Sequence, residues 1–260
     1  MRRAATIALL GLCTAACGSG AKQTATTSSS PPRPRPPAFA GAVARTLAEQ
    51  TARLDQTTTI VVGGAEIKAH DSGTIAFDAS RAHLYKLEPG TSVPGEVIVV
   101  GPITYTNANV QAALNSPGVR PWTKLDTRKL PARIRRSRPD ELAHVVAPVF
   151  LASGARKVSL ARTVADGAVY WARIDPALVV RRVPAAERTI VSTALRGDYP
   201  RTQFNAKFWL DAHGRIRRVI VAYATSRGTP VSIDTSYSGF GVRVAVKPPP
   251  ANRVTDITPR

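Results

Sequence analysis

The stretch "TQFNAKFWLDAHGRIRRVIVAYA", residues 202 to 224, changes polarity at every second position and doubles back on itself within a short turn. Phe204, Ala206, Phe208 and Leu210 fall on one face and Gln203, Asn205, Lys207 and Trp209 on the other, the side-chain period of a strand rather than a helix. Asp211-Ala212-His213-Gly214 supplies the bend, with a glycine free to take a left-handed conformation, so a hairpin is expected. Beyond it, Val219, Val221 and Tyr223 oppose Ile216, Ile220 and Ala222. A strand apolar on both faces belongs inside a sheet. "TPVSIDTSYSGFG" then sets Val231, Ile233 and Tyr237 against Ser232, Asp234, Ser236 and Ser238, giving one dry face and one wet face.

The first half of the chain has the same habit in shorter pieces. Strands are expected at Thr57 to Gly63, Ser72 to Ala79, Ala82 to Glu88, Gly95 to Gly101 and Ile103 to Thr106, punctuated by glycine, proline and aspartate. They follow one another too closely for helical crossovers, so they pair as an antiparallel meander. Three helices are expected. Phe39 to Leu54 carries Val43, Leu47 and Leu54. Pro139 to Ser153 has Ser137 as its cap, a stripe of Leu142, Val145, Val146, Val149 and Phe150, an internal Pro148, and Gly154 at its stop. Pro184 to Arg196 carries Ile190, Val191, Ala194 and Leu195, with Gly197 at its end. Each stripe needs an apolar surface, and one sheet face provides it: an α+β domain.

The N-terminus points to export. Met1-Arg2-Arg3 precedes an apolar run from Ala4 to Leu12, the n-region and h-region of a secretory signal, too short for a permanent span. The chain's two cysteines, Cys13 and Cys17, both lie here. Thr14-Ala15-Ala16 places small residues before Cys17, as a lipobox does, with Thr14 where leucine usually begins the box. Bulky Leu12 ahead of Cys13 makes Cys13 the poorer choice. Residues 1–16 are thus expected to leave as signal, and Cys17 to be the lipid attachment site. A single blocked cysteine then remains, which excludes a disulfide or a cysteine-pair metal site. Residues 17–37, rich in serine, threonine and proline, are expected to be a tether. The folded domain is expected over 38–246 and a Pro-rich tail over 247–260.

The net charge of +19 favours anionic partners. For an exported chain these are envelope lipids or glycans. No RNP-type nucleic-acid signature is present, so no nucleic-acid partner is expected. Arginine outnumbers lysine 28 to 8, which a compositional bias alone also produces, so "RKLPARIRRSRPD" from Arg128 reads first as a solvated loop and only second as a contact with lipid headgroups or cell-wall anions. His70, His83, His144 and His213 lack ligand spacing, and neither a P-loop nor G-x-S-x-G occurs. Asp140 and Glu141 fit the first turn of a helix. Trp122, Trp171 and Trp209 fit sheet packing or a lipid interface. No catalytic residue, metal site or cofactor is expected, and the chain is read as not an enzyme.

The lipobox at Cys17, "W-x-K-L-D" at Trp122 to Asp126, the hairpin from Phe208 to Tyr223 and the C-terminal "KPPPANRVTD", in that order, resemble the LppX/LprG group of mycobacterial lipoproteins and, more distantly, LolA-like periplasmic lipoprotein carriers. The resemblance implies a strongly curved antiparallel sheet, a half-barrel with helices on its concave face, enclosing an apolar pocket for acyl chains. Phe77, Phe204, Phe208, Leu210 and Tyr237 are the candidates to line it, although alternating apolar residues are also what a packed core requires. Two functions stay open. One is an envelope lipoprotein, anchored to the outer face of the cell membrane through Cys17, that binds or shuttles a lipid or lipoglycan. The other is a non-catalytic module that binds cell-wall polymers or an envelope protein through its basic surface.

Overall fold

Gly63 and Gly64, both at positive φ (60° and 84°), close the longest hairpin of the domain, joining β1 (Thr51–Val62) to β2 (Ala65–Ala76). Val62 faces Ala65 across the turn, the tight geometry a Gly-Gly pair favours. The computed structural model describes residues 36–107, 121–131, 134, 142–225 and 227–259. A compact unit begins at Pro36.

The meander continues through β3 (Arg81–Leu87), β4 (Gly95–Val100), β5 (Ile103–Asn107) and β6 (Trp122–Asp126). A second meander runs through β7 (Ala155–Val164), β8 (Gly167–Ile174), β9 (Phe204–Asp211), β10 (Ile216–Ala224) and β11 (Pro230–Ser238). Pairing of β1 with β11 fuses the two into one sheet, which a short β12 (Val254–Asp256) extends beside β6. The order is β12-β6-β5-β4-β3-β2-β1-β11-β10-β9-β8-β7, antiparallel except for β12 against β6. The sheet is curved and does not close into a barrel.

Four α-helices occur among the described residues: α1 (Ala42–Ala48), α2 (Ala143–Leu151), α3 (Pro176–Arg182) and α4 (Arg188–Gly197). They supply the other half of the core. Eight of the nine residues of α2 are buried, so it is enclosed on all sides, whereas α4 buries only Val191, Ala194 and Leu195. Tyr237 of β11 ties sheet to helix by donating its hydroxyl to the Val145 carbonyl at 2.8 Å.

Several boundaries differ from those expected. The first helix stops at Ala48 rather than Leu54, because Gln50 adopts a left-handed φ of 62° and the β-branched run that follows extends as β1. Leu54 is a buried strand residue. The helix expected over Pro184 to Arg196 is α4 and starts at Arg188, while α3, which was not expected, begins at Pro176, where Asp175 accepts hydrogen bonds from the amides of Ala177 (3.0 Å) and Leu178 (3.3 Å). Pro184 lies in the link before α4. Pro148 sits inside α2, while Ser137, Asp140 and Glu141 lie outside the described residues. The C-terminal stretch expected to be a tail returns to the sheet as β12, pinned where Lys124 meets Asp256 at 2.8 Å.

Candidate functional site

The segment before α1 is fastened at several points. Tyr170 on β8 donates its hydroxyl to the Pro37 carbonyl at 2.5 Å. Arg45 reaches back to the carbonyls of Ala38 (2.5 Å) and Ala40 (3.0 Å) and across to that of Gly214 (3.1 Å) in the β9–β10 turn. Thr46, fully buried, accepts the Ile216 amide at 2.8 Å and donates to the Ala42 carbonyl at 2.8 Å. Arg215 completes the join, bonded to Glu49 (2.8 Å) and Asp211 (2.7 Å) with its guanidinium over the Phe240 ring. These bonds hold Phe39 with its ring against Phe208 (centroids 5.3 Å apart) and Tyr170 (5.4 Å).

Between this segment and the end of the sheet opens a cleft of about 650 Å³. Phe39, Val43 and Leu47 form one wall; Ala152, Ala155 and Val158 form the other; Arg182 and Pro184 stand at the margin. Arg182 donates one N–H to the Ser153 carbonyl at 3.0 Å. The side chain is exposed, and a guanidinium has further N–H donors to offer. The lining is thus apolar with a cation at the rim, suited to an amphiphile with an anionic head.

Phe77, Phe204, Phe208, Leu210 and Tyr237 share one apolar cluster between sheet and helices, each at most 7% exposed. Phe77 meets Tyr237 edge-on at 5.7 Å. None of the five lines the cleft, although Phe208 backs Phe39 at its floor. Cys17 lies outside the described residues, as do 132–133 and 135–140 of the basic stretch. The charge of Arg128 is engaged by Asp126, at 3.0 and 2.7 Å.

A polar cluster inside the domain was not anticipated from the sequence. Tyr199 is buried and stacks on Phe204 at 5.9 Å, and its hydroxyl has no hydrogen-bond partner among the described residues. Burial pushes the Tyr199 phenol well up, with the neighbouring Asp198 and Tyr223 adding to the rise. Tyr223, which donates its hydroxyl to the Asp198 carbonyl, is pushed up to about 12, again mainly by burial. Burial also raises the Asp198 carboxyl. His144 on α2 meets the buried Asp71 of β2 at 3.1 Å.

Phe39, Val43, Leu47 and Ala152 fall within helices expected from the sequence but were not read as lining a pocket, and Ala155, Val158 and Arg182 lie on β7 and α3, which were not read as elements. The signal that points to the β7–β8 hairpin is "VADGAVYWARI", a D-G turn followed by alternation. Among the described residues no three of histidine, cysteine, aspartate and glutamate gather as a metal site, and no helix is long and apolar enough to cross a membrane.

No protein-family model and no curated protein matches the sequence with significance. Among solved structures, the chain is similar to lipoprotein LppX of Mycobacterium tuberculosis at 14% identity, with a TM-score of 0.47 over 80% of this chain and 98% of that one. It is also similar to an uncharacterized conserved protein from Thermus thermophilus (9% identity, TM-score 0.36, 83% and 96% covered). A LolA superfamily protein from Nitrosomonas europaea is similar at 11% identity and a TM-score of 0.31, with 75% and 90% covered. These are distant likenesses of outline.

Proposed function

We infer that this is a non-catalytic envelope lipoprotein, held to the outer face of the cell membrane through Cys17, that takes up the acyl chains of a lipid or lipoglycan in the cleft between α1 and β7. The observation that carries the reading is the cleft's lining: apolar side chains from three separate parts of the chain, with Arg182 at the margin. Such a surface left to water costs free energy, and an acyl chain removes that cost without any bond being made. Each methylene buried contributes about 0.8 kcal/mol, so ten contribute about 8 kcal/mol before the cost of association. Arg182 supplies charge-assisted hydrogen bonds to a phosphate or carboxylate head. The signal-like N-terminus and the small residues before Cys17 support the anchored location.

The test is displacement of a fluorescent fatty acid from the full chain by saturated fatty acids of increasing length. Affinity rises roughly fourfold per added methylene until the cleft is filled. Ala155→Trp, which fills the cleft from its β7 wall, lowers affinity at least tenfold without lowering the unfolding midpoint. A chain-length series with no trend, together with an inert Ala155→Trp, contradicts acyl uptake there and turns attention to the basic surface as a polymer-binding face.

A further inference from the structure

The last strand of the sheet is exposed along nearly its whole length, and what it exposes is mixed. Val158 and Leu160 of β7 are 42% and 46% exposed, and Trp171 of the adjoining β8 is 49% exposed. Register places them on two faces. Val158 pairs with Ala172 and Leu160 with Tyr170, both buried, so Val158 and Leu160 overhang the helix side beyond the cover of the helices. Ser159 pairs with Trp171, which puts the indole on the outer face beside the same edge. Lys207 of β9 lies over the rings of both Trp171 (5.3 Å) and Trp209 (4.7 Å).

The charge around these apolar tips has one sign. Between residues 155 and 182 there are six cations and two anions. Asp166 and Asp175 are engaged by Arg217 and Arg156. Lys157, Arg162, Arg173 and Arg181 make no ion pair among the described residues, so their charge is available to a partner.

We propose that the β7 edge, with Val158, Leu160 and Trp171 as apolar tips set among Lys157, Arg162 and Arg173, docks the domain on an anionic phospholipid bilayer. The edge's unpaired backbone N–H and C=O groups forbid entry into hydrocarbon and are satisfied by water at headgroup depth. At that depth cations meet phosphates, and the aliphatic tips and indole reach the upper acyl region. A soluble polyanion satisfies the charges but gives no reason for exposed valine, leucine and tryptophan. The proposal rests on the cleft being an acyl port in one respect: Val158 belongs to both features, so docking sets the mouth of the cleft against the source of acyl chains.

The experiment is co-sedimentation of the full chain carrying Cys17→Ala, which removes the thioether anchor, with vesicles of phosphatidylcholine alone or mixed with phosphatidylglycerol. The N-terminal residues are otherwise the same in every variant, so differences report the folded domain. Binding is expected to be at least tenfold tighter on the mixed vesicles, and that difference shrinks with salt. The K157E/R162E/R173E variant keeps the edge charged against strand pairing yet lowers binding at least tenfold, since each cation near such a surface accounts for roughly fivefold. Val158→Asp with Leu160→Asp lowers it at least tenfold as well, and brominated lipid quenches the parent's tryptophan fluorescence but not that of Trp171→Phe. Lys68→Glu, on β2, changes nothing. Circular dichroism and the unfolding midpoint establish that each variant is folded. Two results overturn the proposal: binding unchanged by either set of edge substitutions, or dextran sulfate binding as tightly as vesicles and indifferent to Val158→Asp with Leu160→Asp. Fatty-acid uptake without vesicles is scored separately. Uptake without docking overturns the proposal alone; docking without uptake overturns the carrier reading and leaves the docking edge standing.

Discussion

Tyr199 holds a hydroxyl in the core with no partner among the described residues, and such a group costs about 1–3 kcal/mol relative to a paired one. Tyr199→Phe is therefore expected to raise stability in urea unfolding by about 1 kcal/mol, against the usual direction for a core substitution. Fatty-acid affinity is expected to be unchanged in the same variant, since Tyr199 does not line the cleft. Neither outcome was visible in the sequence. "GDYPR" contains an ordinary tyrosine, and only the stacking on Phe204 and the enclosing helices make its hydroxyl costly. Phe208 and Tyr237 were legible as inward-facing from their alternation, but inward-facing does not distinguish a core residue from a cavity wall.

At the scale of elements, two strand positions admit only glycine. A Cβ at Gly73, where φ is 149°, would lie 2.1 Å from the His83 carbonyl oxygen, and one at Gly167, where φ is 156°, would lie 1.9 Å from that of Leu210. Glycine lets the strands approach and bend there. Gly73→Ala is expected to cost about 2–4 kcal/mol, measured by urea unfolding. The β12 closure is expected to be sensitive to acid. Across the β12–β6 join, hydrogen bonding to Lys124 holds the Asp256 carboxyl well below the usual carboxylate range, and at the end of β6 hydrogen bonding to Arg128 holds that of Asp126 down to about 2. Both pKa values are depressed in the folded protein, so their stabilisation is present above about pH 4 and is lost as pH falls toward 2. Amide exchange at 254–257 should accelerate over that range before β1 and β11 are affected, whereas simultaneous acceleration throughout contradicts a locally held β12. Strand β9 and the hairpin to β10 were legible because one face is dry and one is wet. β7 was not, since nearly all of it is exposed and burial writes no period on it. The helix expected to reach Leu54 was overruled at Gln50, a backbone choice that side-chain periodicity does not encode.

On the scale of the whole molecule, the β1–β11 pairing joins two meanders, each built from strands that follow one another in sequence, into one sheet. The antiparallel plan was legible because each meander is built from neighbours. The cleft was not, because its walls come from residues near 40, 155 and 183, which no local motif unites. A hollow lined by aliphatic groups also needs no particular residue type, so its chemistry leaves little trace in composition. The most direct measurement is native mass spectrometry of the full chain extracted from its own membranes in mild detergent, with fatty acids released from any bound species and identified. Lipid retained non-covalently by the parent and largely absent from Ala155→Trp is the result the account predicts; a parent free of bound lipid that also fails to take up added fatty acid contradicts it.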